Sequence, residues 1–222
     1  MKNIRVIQHY KLEYPFIGEM EETYEQAVGL GRGEISPHID KSIFEILKNT
    51  WCKENTFKPE IIITSPVTRA TETAQAIQTT CFPDLKVIIN NNIKEITWDL
   101  SDFLTKDQYE KAKPTHRFDI GNKRIAAFIE GRSLTNLPEV LDRMKNFDSD
   151  ITTLPQKNIL VVTHSFTMKV LHTYFVKMLK AKKHIKIVSK NILATGFFYS
   201  MPDPLQQLPL SVLKLHQPYK QP

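Results

Sequence analysis

The chain has 222 residues, of which 41% are apolar and 24% charged, with a net charge of +6 and an isoelectric point near 9.2. This composition excludes a wholly disordered chain, and the length suits one globular domain spanning residues 1–222. It also excludes a bilayer-spanning helix of about 20 apolar residues, a multi-disulfide scaffold and a clustered Cys/His zinc site, because only Cys52 and Cys81 are present.

The positive charge favours anions in general, with lysines gathered between Lys177 and Lys190 as a solvated face. Cys52 and Cys81 could form one bridge, but free, partly buried thiols are expected, which fits a reducing cytosol. The opening run is broken by Arg5 and Gln8 and is no signal peptide, so a cytoplasmic location is expected.

Ile4 to Ile7 predicts a short strand, followed by a loop from Tyr10 to about Glu22. Gly29, Gly31 and Gly33 have the wrong spacing for a dinucleotide fingerprint and are read as a turn before a helix. That helix is predicted over Pro37 to Asn49, with an apolar stripe of Ile39, Ile43, Ile46 and Leu47. Ile61 to Ile63 forms a compact buried strand. Ser65 and Pro66 then read as a capping residue and a first-turn proline, opening a helix with Val67, Ala70, Ala74 and Ile77 on its buried face. Val87 to Ile89 is a further strand, and Glu95 to Pro114 is mixed. An amphipathic segment opens at Ile125 to Phe128, and Leu137 to Phe147 is a helix. Ile159 to Thr163 is the strongest strand signal, followed by a helix over Thr167 to Lys180 and a last strand over Leu193 to Tyr199.

Apolar strands alternating with helices predict an α/β fold of three layers, with a mainly parallel central sheet and helices on both faces. Ligands of such folds bind beyond the carboxyl ends of the strands. Three strands end in suggestive residues: Gln8 and His9, Thr64 and Ser65 with Arg69 just beyond, and Thr163 and His164. If these strands are parallel neighbours, two imidazoles and a guanidinium converge beside helix N-termini, whose orphan N–H groups suit an anion. A neutral imidazole is a competent nucleophile toward phosphorus, and Arg69 offers a planar donor fork for phosphate oxygens.

The segment SPVTRATETAQAI at 65–77 resembles the second signature of the histidine phosphatase superfamily, the phosphoglycerate mutase-like group, in its Ser-Pro-x-x-Arg-Ala-x-x-Thr-Ala pattern. VVTHSF at 161–166 is similar to the later signature around the second histidine. VIQHYK holds the place of the first, which is normally Arg-His-Gly. The resemblance implies that His9 is the nucleophile that becomes phosphohistidine. It also implies that Arg69 binds the phosphoryl group, that His164 donates to a phosphoryl oxygen, and that Glu95 is the proton donor, with Asp99 as the fallback. It implies no cofactor and no metal.

The sequence departs from that pattern where Gln8 stands for the arginine and Tyr10 for the glycine. Gln8 can donate hydrogen bonds to phosphate but supplies no charge. Lys11, Arg32 or Arg117 could supply a compensating cation, and Tyr10 a substrate contact or a partial closure of the pocket. The leading expectation is hydrolysis of a small phosphomonoester, with a substrate cap or insertion around 95–158. The alternatives are a phosphoglycerate-type mutase and a phosphoryl-ligand or protein-binding member with little turnover. The expected partner is a small phosphorylated molecule rather than a membrane. Nucleic acid ranks low, because no zinc finger, RNP-like segment or helix-turn-helix appears. Oligomeric state is left open, a homodimer included.

Overall fold

The structure, a computed structural model, describes residues 2–13, 23–54, 57–111, 126–174 and 185–189. The expected last strand at 193–199, the end of the helix expected at 167–180, and Arg117 lie outside them.

Among the described residues five strands form one sheet: β1 (Lys2–Gln8), β2 (Ile61–Thr64), β3 (Val87–Ile89), β4 (Asn158–Thr163) and β5 (Ile185–Ser189). Their order is β3-β2-β4-β1-β5, and every pair is parallel. This is the expected α/β sheet. β5 is an addition: it lies within the stretch Lys177–Lys190 read above as a solvated face, and carries one lysine among apolar residues. β4 fills the place between β1 and β2, with Gln8 opposite Thr163 and Thr64 opposite Val162. The three suggestive strand exits are therefore neighbours at one sheet edge.

The side-chain period of two along each strand feeds two cores. Ile4, Val6, Ile61, Ile63, Ile159 and Val161 face one side. There they meet Val140, Met144, Phe147 and Ile151 of α7 (Leu137–Thr153), Phe128 of the helical residues 126–129 (α6), and Phe166 and Val170 of α8 (Ser165–Thr173). Ile7, Ile62, Leu160 and Val162 face the other side, against Ala70, Ala74 and Ile77 of α4 (Thr68–Cys81). On that side lies also a helical stretch made of α2 (Ile43–Ile46), a π-helical turn (Leu47–Trp51) and α3 (Cys52–Glu54). Within the stretch 95–158, α7 thus lends its buried side to the core. A satellite cluster is separate from both cores. It joins α1 (Tyr24–Arg32) to Trp98, Leu100, Phe103, Leu104 and Tyr109, the last on α5 (Lys106–Lys111).

Several local expectations are corrected. Gly29 and Gly31 lie within α1, and only Gly33 ends it, with φ 77°. A Cβ on Gly31 would come within 2.8 Å of the Trp98 carbonyl, and Trp98 N–H donates to Gly31 O at 2.9 Å, so glycine lets two backbones touch. The helix expected from Pro37 starts only at Ile43, because Ile39 bridges Leu12 in an antiparallel pair instead. Ser65 does not cap α4, whose N-cap position is Val67.

Cys52 and Cys81 are not free thiols: they form a disulfide joining α3 to the end of α4, with Cα atoms 5.3 Å apart. This removes the cysteine argument for a reducing cytosol. Closing a loop of 29 residues stabilises the fold by about 3–4 kcal/mol on the chain-entropy model. Reductant is therefore expected to lower the melting temperature by roughly 10 °C. A calorimetric scan with and without dithiothreitol measures this, and coincident transitions would count against the bridge. Among the described residues no helix is long and apolar enough to cross a membrane.

Candidate active site

The first residue after β1 is His9, whose backbone N–H donates to Thr163 O at 2.8 Å and so continues the ladder by one step. Its ring Nδ1 lies 2.7 Å from the Tyr10 carbonyl. A carbonyl only accepts, so Nδ1 carries the proton and the lone pair is left on Nε2. Arg69, 7% exposed and in the first turn of α4, donates Nε–H to that Nε2 at 3.3 Å. Burial, then the neighbouring His164 and then the Arg69 guanidinium, push the His9 imidazolium down to about pKa 3.

His164 follows β4, is fully buried, and packs with its ring centroid 5.3 Å from that of His9. Its Nε2 is 2.8 Å from Ser65 Oγ and its Nδ1 is 3.2 Å from Glu95 Oε2. That same carboxylate oxygen accepts from Arg69 Nη2 at 3.3 Å. Glu95 thus bridges the guanidinium and the second imidazole. His9, Arg69, Glu95 and His164 form one contact network although they lie far apart in the chain. Helices α4 and α8 both begin here, adding backbone N–H groups suited to an anion.

The other sequence candidates lie elsewhere. The Tyr10 ring is 1% exposed and sits in the core beside α2, with its hydroxyl 3.1 Å from Ser42 Oγ. Its backbone N–H donates to Thr73 Oγ1, which ties the His9 turn to α4. Lys11 pairs with Asp40 at 3.0 Å. Arg32 directs Nε and Nη2 at Asp99 Oδ2, at 2.7 and 2.6 Å. Asp99 is buried and caps the 3₁₀ turn Leu100–Asp102. Burial alone would raise its pKa, but hydrogen bonds from Ser101 and Arg32 outweigh that and hold the carboxyl below its ordinary value. It is a structural anchor, which leaves Glu95 as the carboxylate at the histidines. Gln8 ends β1 beside Thr163.

Three further residues support the site in ways the sequence did not show. Ser65 looked like a helix cap but faces His164. Thr163, named only as a strand exit, and Thr167, not named at all, donate their hydroxyls to Ile93 O and Lys94 O at 2.8 and 3.1 Å. Strand-exit position was the only available signal for Ser65 and Thr163. A separate groove of about 510 Å³ on the outer side of α4, lined in part by His38, Phe44 and Glu72, shares no residue with this network.

Because the His9 ring is held neutral, its Cε1–H resonance is expected not to move between pH 8 and pH 5, far above its titration near 3. Proton NMR of the chain against His9→Ala assigns and follows that signal, and a midpoint near the ordinary histidine value would contradict the geometry. The sign for stability is the same. The unfolded chain binds the proton below about pH 6.5 and the folded one does not. The contribution is therefore complete above that value and falls as pH drops toward 3.

A family model, the histidine phosphatase superfamily (branch 1), matches residues 51–193, a span that holds Arg69, Glu95 and His164 and begins beyond His9. No curated protein matches the sequence. Among solved structures, a putative alpha-ribazole-5'-P phosphatase from Escherichia coli is similar at 17% identity and TM-score 0.50, covering 78% of each chain. A mycobacterial glucosyl-3-phosphoglycerate phosphatase is 16% identical, with TM-score 0.45 and 78% of each chain covered. YhfR of Bacillus stearothermophilus is 15% identical, with TM-score 0.47, covering 77% of this chain and 78% of its own. With more than half of its length matched by the family model and the expected α/β sheet in place, the chain belongs to branch 1 of the histidine phosphatase superfamily.

Proposed function

We propose that this protein hydrolyses small phosphomonoesters through a phosphohistidine formed on Nε2 of His9. The observation that carries this reading is the 2.7 Å contact from Nδ1 to the Tyr10 carbonyl. It fixes the tautomer and aims a lone pair at the position that Arg69 faces. In the first step Nε2 attacks phosphorus, the P–N bond forms and the P–O bond to the organic group breaks. Glu95, carrying a proton, gives it to the departing alkoxide. The Glu95 carboxylate then takes a proton from water, which attacks phosphorus and breaks the P–N bond to yield inorganic phosphate. Arg69 and His164 balance the charge of the transferring group. The scheme uses no metal or cofactor. Within 95–158, the Leu100–Asp102 turn and α5, which pack on α1, are the part we assign to a substrate cap.

A second reading, phosphate-ligand binding with little turnover, is favoured by Gln8, which supplies no charge where the family places a guanidinium. Phosphate release from a panel of phosphomonoesters separates the two. Turnover that disappears in His9→Ala supports hydrolysis. Undetectable turnover with retained binding of inorganic phosphate supports the binding module.

A further inference from the structure

We infer that Arg143 is a positioning residue for proton transfer, acting through the backbone that carries Glu95; this rests on the proposed role of Glu95 as proton donor. Arg143 lies on α7, whose sequence reads only as an amphipathic helix, yet it is just 7% exposed. A guanidinium is seldom buried so deeply without a defined partner, because desolvating it is costly. Its hydrogen-bond partners are main-chain carbonyls: Nε donates to Asn92 O at 3.2 Å and Nη2 donates to Lys94 O, while Nη1 lies 3.9 Å from Glu139 Oε1 one turn earlier on α7. These two carbonyls precede Glu95, one of them directly. Thr163 and Thr167 add donors to Ile93 O and Lys94 O, so the segment 92–94 is held at three consecutive carbonyls.

The consequence is geometric. Glu95 follows a single 3₁₀ turn (Asn91–Ile93) and belongs to no regular element, so helix or strand hydrogen bonds do not fix its Cα. The planar fork of Arg143 does so from the side of α7, and the two threonines do so from the sheet exit and α8. One oxygen of Glu95 then sits between Arg69 and His164. Displacing a catalytic group by about 1 Å can cost on the order of 100-fold in rate. Arg143 therefore needs no contact with substrate to affect proton delivery.

This assignment predicts a dependence on the leaving group. An alkyl phosphate releases an alkoxide that must be protonated, whereas p-nitrophenyl phosphate releases a phenolate that leaves without a proton. In Arg143→Met, kcat/KM, which reports transfer to His9 with loss of the leaving group and not the later attack of water common to both esters, is expected to fall about 10-fold or more for the alkyl ester, with little change for the aryl ester. Thr167→Val, which removes one hydroxyl and keeps the volume, should show the same selectivity at a few-fold. It also guards against an unstable Arg143→Met. Glu95→Gln is the reference and should show the selectivity most strongly. Equal losses on both esters in Arg143→Met and Thr167→Val, or no loss in either variant, would overturn the positioning role while Glu95→Gln remains selective. A non-selective Glu95→Gln, or a wild type that turns over neither ester, would overturn the proton-donor reading and this inference with it.

Discussion

His9→Ala is expected to reduce turnover of a phosphomonoester by about 10⁴-fold or more, the scale seen when a covalent nucleophile is removed. The loss should appear in kcat, because the groups that hold the phosphate remain: the Arg69 fork, His164, and the N-termini of α4 and α8. Binding of inorganic phosphate, followed by calorimetry, is expected to persist within about 10-fold. The Tyr10 carbonyl loses its Nδ1–H partner, but the ring of Tyr10 and its bond to Ser42 are untouched, so the turn after β1 should keep its place. A variant retaining a tenth of wild-type turnover would show that phosphorus is attacked by another group.

Replacing Arg69 has the second largest expected effect. Arg69→Met removes the donor to Nε2 of His9 and the partner of Glu95 together. It also lifts the cationic field that helps hold His9 unprotonated. Loss of a guanidinium from a transferring phosphoryl group is expected to lower kcat/KM by about 10³-fold. Arg69→Lys keeps the charge and loses the fork, so it should recover only part of this. Steady-state kinetics on the three proteins check the order wild type, Lys, Met. Full recovery in the lysine variant would mean that charge alone matters and that the fork geometry does not.

The strand framework was legible because buried parallel strands are short, uninterrupted apolar runs: IIIT at 61–64 and ILVVT at 159–163 have no other good reading. Once they were parallel neighbours, the residues after them had to meet, which is why His9, Arg69 and His164 could be named beforehand. Glu95 was found only through the family resemblance, since it follows no element whose end could announce it. What stayed hidden depends on contacts between segments. Tyr10 looked like a loop aromatic, but the antiparallel bridge from Leu12 to Ile39 folds its ring inward. Cys52 and Cys81 gave no spacing signal, because their pairing depends on how a π-turned helix packs on α4. Arg143 read as one more charge on a helix, although its hydrogen bonds go to carbonyls about fifty residues earlier. Buried charges that bind backbone leave no mark in hydrophobic periodicity.

Alkaline quenching during turnover, followed by mass mapping of the peptides, examines the covalent step itself, since phosphohistidine survives base. The prediction is phosphate on the peptide carrying His9, at Nε2, appearing within one turnover and absent from His9→Ala. Rapid turnover with no phosphate on His9, or with the phosphate on Ser65 or His164 instead, would contradict it.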